Sequence, residues 1–456
     1  MAKKAKKIHT KKGLELKIVN PNAAGIDIAD AEIQICVPAD RDENNNRCFG
    51  TNTRDLNEIC SWLKQCGIET ASMEATGIYW IPLFFKLQES GFDVILVNAR
   101  DVKNISEKKT DEADAEWLML LHTYGLLKAS FQPDNKARQI RNLARHRNNL
   151  LRSASKEVLY MQKAMEQMNI KLSIVLSDIM GKSGRAIIDA ILDGERDPKC
   201  LAKFADIRCK RSKEEIALAL EGTWDEDHLF ELKQSYALYK YIQKQVRECD
   251  QKINELLIPY AAYVDNDMNN YVKSNKRICK KNAVSFDIEQ YGYAIWGVNV
   301  MNIPGMSAGS VLQLIGELGY DFVSKFDSPE KFCKWCNVVP NNKISGGKLL
   351  SSRVPKRKNP VGQVFRLCAN SLTNAKNPLG FYFRRIQSRD GHMQAIVAAA
   401  HKIARIFYVM VKNKSEYDET RVGLDEKSLL LKKIERAQRN LDRLNRLNAK
   451  TSESAS

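Results

Sequence analysis

Ala24-Gly25-Ile26-Asp27-Ile28-Ala29 sets one carboxylate into an alternating apolar run. Such a run reads as a β-strand, and a lone Asp in mid-strand is costly unless something cationic meets it. The flanking sequence extends the pattern. Glu32 to Pro38 reads as a second strand, returning around Asp30-Ala31, and Arg47 to Thr51 as a third. Then come a helix from Asp55 to Gln65, a strand-like run from Thr70 to Ala75, an apolar helix from Tyr79 to Glu89, a strand from Val94 to Asn98 and a helix opening at Asp111. Three meandering strands followed by strand–helix alternation describe an α/β fold of the RNase H type, a reading that rests partly on analogy.

Four acids fall at telling places in this frame. Asp27 is mid-strand. Glu74 ends a strand just before Thr76-Gly77 turns the chain. Asp111 and Asp114 come from Lys109-Thr110-Asp111-Glu112-Ala113-Asp114-Ala115, where Thr110 suits a helix N-cap and a spacing of three puts both aspartates on one face. That face continues as Leu118 and Leu121, so it is the buried one, whereas Glu112 and Glu116 share a solvated face. Taken singly, an Asp in a strand is also a common surface residue and Thr-Asp an ordinary cap. Taken together, hard oxygen donors without a His or Cys cluster favour magnesium or manganese over zinc, and two such ions suit phosphoryl transfer.

Composition indicates the partner. The chain has 72 Lys and Arg against 55 Asp and Glu, a formal charge of +17, and therefore expects a polyanion. Met1 to Lys17 carries seven lysines and one acid, a basic arm without the apolar core of a signal peptide. The most apolar helical stretch, Ile396 to Val411, is interrupted by Lys402 and Arg405, so a soluble protein outside the membrane is expected. Eleven scattered cysteines suit a reducing cytoplasm. Cys333-Lys334-Trp335-Cys336 lacks a second pair at zinc spacing and reads as helix core. Six histidines with no His-x-His pair argue against a His-coordinated tyrosine nickase.

Beyond the first region, Leu151, Ala154, Val158, Met161, Met165 and Met168 keep a 3, 4, 3, 4, 3 spacing, and Tyr239, Ile242, Val246, Cys249, Ile253 and Leu256 repeat the pattern. Two such seams around a globular stretch read as an antiparallel coiled coil. Its basic flank, with Arg138, Arg141, Arg145, Arg147 and Arg152, is either a solvated face or a set of phosphate contacts. Next, Asn302 to Gly319, with Pro304-Gly305 ahead of a helix, resembles a helix-hairpin-helix element whose turn amides accept a DNA phosphate.

After Pro340 the chain turns strongly basic. Asn341-Asn-Lys343-Ile-Ser345-Gly346-Gly347-Lys348 continues to Arg353, Lys356, Arg357 and Lys358, six cations without an acid. The plainer reading is a basic Gly turn touching phosphate through Lys343 and Lys348. The sharper one makes Ser345 a nucleophile in an exposed turn, although no His stands nearby to act as its base.

Gly25-Ile-Asp27, Glu74-Ala-Thr-Gly77, Lys109-Thr-Asp111-Glu-Ala-Asp114-Ala115, Ile303-Pro-Gly305, Ser345-Gly-Gly-Lys348 and Ala395-Ile-Val-Ala-Ala-Ala-His-Lys-Ile-Ala-Arg405, in that order, resemble the DEDD transposases of the IS110 family, relatives of the Piv DNA invertases. The resemblance spans about residues 20 to 415. It implies a RuvC-like nuclease fold joined by a coiled coil to a mainly helical C-terminal transposase domain. It also implies recombination of donor and target DNA, guided by a structured non-coding bridge RNA. By this resemblance Asp27, Glu74, Asp111 and Asp114 bind magnesium, and Ser345 attacks the scissile phosphate to give a phosphoserine. Lys343, Gly346, Gly347, Lys348, Arg353, Lys356 and Arg366 are the expected nucleic-acid contacts. Active sites shared between protomers imply a homo-oligomer, dimer to tetramer, in a prokaryotic cytoplasm. The chain departs from the family after Ser345, where Lys358-Asn359-Pro360-Val361-Gly362-Gln-Val-Phe-Arg366 replaces the usual Lys-x-Gly-Asn segment while Arg366 keeps its place.

The expected boundaries are a basic arm over 1–17, the RuvC-like domain over 18–130, the coiled coil over 131–260, an insertion or linker over 261–300, the serine-bearing domain over 301–415 and a helical tail over 416–456. In the tail, Leu430, Ile434, Ala437, Leu441 and Leu444 keep a 4, 3, 4, 3 spacing that suits a coiled-coil contact. Two other functions compete. A RuvC-type junction endonuclease would use the metal site alone, and the additional basic serine region argues against it. A non-catalytic nucleic-acid-binding protein would not need all four acids.

Overall fold

The structure, a computed structural model, describes residues 17–75, 77–98, 111–276, 282–355, 359–421 and 426–453. The arm over 1–16, the expected cap Thr110 and Lys356 lie outside the described residues. The chain forms two compact units, Met1–Gln132 and Pro133–Ser456.

The first unit is a mixed α/β layer. In chain order it holds β1 (Ala23–Ile28), β2 (Glu32–Cys36), β3 (Asn46–Gly50), α1 (Thr53–Gln65), β4 (Thr70–Glu74), α2 (Trp80–Glu89), β5 (Asp93–Val97) and α3 (Asp111–Thr123). The five strands run in the order β3-β2-β1-β4-β5. β1–β2 and β2–β3 are antiparallel, while β4 is parallel to β1 and β5 to β4. Strand alternation sorts the two faces. Ala24, Ile26 and Ile28 of β1 join Ile59 and Leu63 of α1 and Leu83 and Leu87 of α2 in one core. The odd-numbered residues of β1 face the other way, toward α3.

Gly25 sets how closely α3 approaches that second face. A Cβ at Gly25 would lie 2.1 Å from the Ala115 carbonyl oxygen and 2.2 Å from the Met119 nitrogen. Helix backbone therefore rests directly on strand backbone, which only glycine permits here. Gly25→Val should destabilise this unit by about 3 kcal/mol or more, at the upper end of overpacking costs. Chemical denaturation followed by circular dichroism measures it, and an unchanged midpoint would refute the close-contact account.

The second unit is almost wholly helical. α4 (Asn135–Gln167) is followed by α5 (Leu172–Val175), α6 (Lys182–Leu192), α7 (Pro198–Ala202), α8 (Lys213–Leu218) and α9 (Glu226–Val264). α4 and α9 pack antiparallel. Ala154 meets Ile242 and Val246 near the middle, while Asp134, which caps α4, accepts a hydrogen bond from Tyr260 at the far end of α9. Met161, Met165 and Met168 are buried with Ile187, Leu201 and Ile216 of the small helices between the two long ones.

Arg147 is not part of the basic flank. It is buried, and its guanidinium grips Asp250 of α9 at 2.5 Å while donating to the Asn282 and Ala283 carbonyls at 3.1 Å. Such a pair is costly to break from one side, because the remaining charge is left buried. Asp250→Ala should lower stability by about 3–5 kcal/mol. Thermal denaturation of the full chain checks this, and a loss below ~1 kcal/mol would rule out an isolated buried charge.

The remainder comprises α10 (Ile288–Trp296), α11 (Ala308–Leu318), α12 (Pro329–Trp335), the hairpin β6 (Lys343–Ser345) and β7 (Lys348–Ser351), α13 (Pro360–Asn370), α14 (Pro378–Asp390), α15 (His392–Asn413) and α16 (Glu426–Glu453). Aromatic rings fill its core: Phe322, Phe332, Phe365 and Phe407 are fully buried, and Trp296 meets Phe407 edge-on at 5.1 Å. α15 has the length and apolarity of a membrane-crossing helix, but it buries Ala399, Ile403, Phe407 and Tyr408 in this core. Cys333 and Cys336 are buried there too, and burial pushes the Cys333 thiol up to about 12. That environment suits packing rather than reactivity.

Candidate active site

The acidic cluster is built by the parallel pairing of β1 with β4. The register aligns Gly25 with Ser72 and Ile26 with Met73, so the next step sets Asp27 beside Glu74 at the strand ends. Gly25 and Asp27 share a strand face, as do Ser72 and Glu74. That face lies under α3: the Ser72 hydroxyl donates to the Leu118 carbonyl at 3.2 Å, and Gly25 touches Ala115. The direction of α3 decides which of its residues come near the acids. Its last carbonyl, at Thr123, accepts the Val19 and Asn20 amides ahead of β1, so the helix runs antiparallel to that strand. Asp111 and Asp114, in its first turn, therefore lie toward the end of the sheet that carries Asp27 and Glu74.

Asp27, Glu74 and Asp114 are each half-buried, whereas Glu112 and Glu116 are exposed. One Asp27 oxygen accepts the Ile28 amide at 3.1 Å. Asp111 begins the helix, and its side chain lies outside the described residues. Among the described residues no three His, Cys, Asp or Glu side chains stand close enough to hold one metal ion. The donor chemistry nevertheless fits a hard divalent cation: carboxylate oxygens on one face, at strand ends open to solvent, without a competing thiol or imidazole set. The nearest His on this face, His122, is bonded to Thr70 at 2.8 Å, and burial holds its pKa down.

Ser345 ends β6 and pairs with Lys348, the first residue of β7. Gly346 (φ 54°) and Gly347 (φ 76°) form the two-residue turn between them, and paired positive φ values are what a type I′ hairpin requires. Opposed residues of an antiparallel pair project to the same side, so the Lys348 stem stands beside the Ser345 hydroxyl. Every residue from Asn341 to Leu350 is exposed, and the hairpin closes where the Asn341 amide donates to the Arg353 carbonyl. Lys343, Gly346, Gly347 and Lys348 thus lie within three residues of Ser345 on one hairpin, and Arg353 stands at its base. Arg366 does not join them. It sits on α13, half-buried, and donates to the Asn337 carbonyl.

The Pro304-Gly305 turn follows a single 3-10 turn, Val300–Asn302, and its helix start is already closed by Ser307, whose side chain accepts the Ser310 amide. Gly305 packs on the Cys368 carbonyl, where a Cβ would come within 2.4 Å. Gly25 and Ser72 fix the height of α3, a role that sequence reasoning missed: Gly25 enters it only as part of the Gly25-Ile-Asp27 motif, and Ser72 shows only small size two residues before Glu74.

Two family models match the chain. One, the DEDD transposase model of IS110 elements, described as a transposase, covers residues 24–170 and so spans Asp27, Glu74, Asp111 and Asp114. The other, described as a transposase of the IS116/IS110/IS902 family, covers residues 298–381 and spans the Ser345 hairpin and Arg366. A comparison with curated proteins found no match.

Proposed function

From the premise that the chain belongs to the IS110 family of transposases and is a DNA transposase, we propose that it cleaves and rejoins DNA through Ser345 together with the Asp27, Glu74, Asp111 and Asp114 carboxylates. The observation that carries this reading is the alignment of Asp27 and Glu74 on the sheet face covered by the Asp114 helix. The strand order β3-β2-β1-β4-β5 supports an RNase H or RuvC type of first domain, and the antiparallel α4–α9 pair supports a coiled-coil second one. Magnesium or manganese would be held by the four acids and, when bound, would stabilise charge on the attacking and leaving oxygens.

The chain's own groups supply the rest. The Ser345 Oγ forms a bond to phosphorus as the bond from phosphorus to a deoxyribose oxygen breaks; the serine proton is lost and the departing sugar oxygen gains one. Lys343 and Lys348 neutralise the phosphate as it approaches the hairpin. The phosphodiester energy is kept in the phosphoserine, so a second sugar hydroxyl can displace Ser345 and reseal the strand.

Specificity is assigned to a guide RNA. The fold carries abundant basic surface, and sequence selection by base pairing needs only backbone contacts from the protein. Protein purified from its native cell should carry one discrete structured RNA, identified by extraction and sequencing. Recombination at full rate and on the same sites after complete nuclease treatment would sink the guide and leave a protein-only transposase.

A further inference from the structure

A groove of about 770 Å³ opens within the second unit between α4, α11 and α13. Its α4 wall is a single helical stripe in which Arg141, Arg145 and Arg152 recur at spacings of four and seven. Over those eleven residues an α-helix rises about 16 Å, roughly five base steps of a nucleic-acid backbone at its 3.4 Å spacing. The opposite wall contributes Gln313 from α11 and Gln363 with Arg366 from α13. Four arginines thus meet one acid, Glu317.

Two observations indicate that this charge is held ready for an anion. The Arg141 Nε is buried and has no hydrogen-bond partner among the described residues, so no protein acceptor there offsets its desolvation. The backbone of Gly316 packs on that of Arg141, where a Cβ at Gly316 would lie 2.7 Å from the Arg141 Cα, so α4 and α11 meet closely at this point. Glu317, next along α11, holds half-exposed Arg145 through two bonds of 2.7 and 2.9 Å and is the acid of the groove lining that a phosphate would have to displace. The groove edge is formed by Pro355 and Asn359, the described residues on either side of the segment joining the Ser345 hairpin to α13. Asn359 is pinned there by donating to the Trp335 carbonyl and accepting the Gly362 amide, both at 2.9 Å.

We propose that this groove is a DNA-backbone channel in which Arg141, Arg145, Arg152 and Arg366 bind phosphates spaced along the strand that runs to the Ser345 hairpin. The choice of DNA rests on the reading that Ser345 acts on DNA. The amide side chains of Gln313 and Gln363 would face sugar and base edges, while the arginines fix register without reading sequence.

The test is equilibrium binding of nucleic-acid-free, full-length Ser345→Ala protein to a labelled random-sequence DNA duplex across a salt series, with an RNA duplex of the same sequence as a second arm. Arg145 and Arg152 are exposed, so Arg145→Ala/Arg152→Ala leaves the fold intact. Loss of two phosphate contacts should lower the slope of log K against log salt by about 1.8 on DNA. Glu317→Gln should tighten DNA binding, since it removes the competing acid. Arg208→Ala, an exposed cation in the turn between α7 and α8, should leave the slope as it was. An unchanged slope in the double variant, an equal fall in Arg208→Ala, weaker binding by Glu317→Gln, or a fall confined to the RNA arm would each overturn the channel. Because every protein lacks the Ser345 hydroxyl, this result is independent of covalent chemistry. A wild-type adduct with unchanged slopes rejects the channel and keeps the serine reading; a lowered slope without any wild-type adduct does the reverse.

Discussion

Asp27→Asn, Glu74→Gln, Asp111→Asn and Asp114→Asn should each depress strand cleavage by roughly 10²- to 10³-fold or more, the scale on which single electrostatic groups act at a reacting centre. Each change removes an anionic oxygen donor and almost no volume, so the fold and nucleic-acid binding should persist. The geometry makes the expectation specific. Asp27 and Glu74 are neighbours across a parallel strand pair, and Gly25 and Ser72 hold the helix of Asp111 and Asp114 against that same face. Glu112→Gln and Glu116→Gln supply the internal control, since both side chains are exposed on the same helix. Strand cleavage and gel-shift assays on the six variants separate the cases. Full cleavage by Asp111→Asn, or a loss in Glu112→Gln as deep as in Asp114→Asn, would mean that helix charge in general, and no shared carboxylate site, is what cleavage needs.

The acidic face was legible in the sequence because strand and helix periodicities are local. Alternation around Asp27 and the spacing of Asp114 and Leu118 set which face each of these residues shares before any tertiary contact is known. Strand order was partly legible for the same reason, through the β1–β2 turn at Asp30-Ala31 and the helices that separate later strands. What lay hidden depends on contacts between distant segments. Arg147 looks like its neighbours in a basic run, and only its meeting with Asp250 makes it a buried ion pair. Arg366 reads as a companion of the Ser345 loop, yet α13 carries it to a groove whose other wall comes from α4. Charge counting leads one to expect a polyanion partner for such arginines in sum, but their individual surroundings come from helix packing that no local pattern records.

Ser345 should form a covalent bond to DNA, and Ser345→Ala should abolish it completely while leaving DNA binding in place. The hairpin supports the choice of this hydroxyl over its neighbours. Gly346 and Gly347 occupy the two positive-φ positions of the turn, so Ser345 stands at the strand end with nothing bulky between it and solvent. Lys348 is its direct cross-strand partner, placing a cation where negative charge would grow on an attacked phosphate. Ser351 pairs with Lys343 at the other end of the hairpin and hydrogen-bonds the Arg353 amide, and Ser352 lies beyond the strand; neither has the glycine turn beside it. A nicked suicide substrate lets the downstream fragment diffuse away after attack and traps the phosphoserine, which denaturing electrophoresis and peptide mapping then locate. Gly347→Ala should also reduce adduct yield, about tenfold for a turn strained by roughly 1.4 kcal/mol at positive φ. That effect would not follow if Ser345 merely touched phosphate at a site whose shape is irrelevant. An adduct of unchanged yield in Ser345→Ala, or one mapped to Ser351 or to a tyrosine, would remove Ser345 from the chemistry and return the hairpin to a phosphate-binding role.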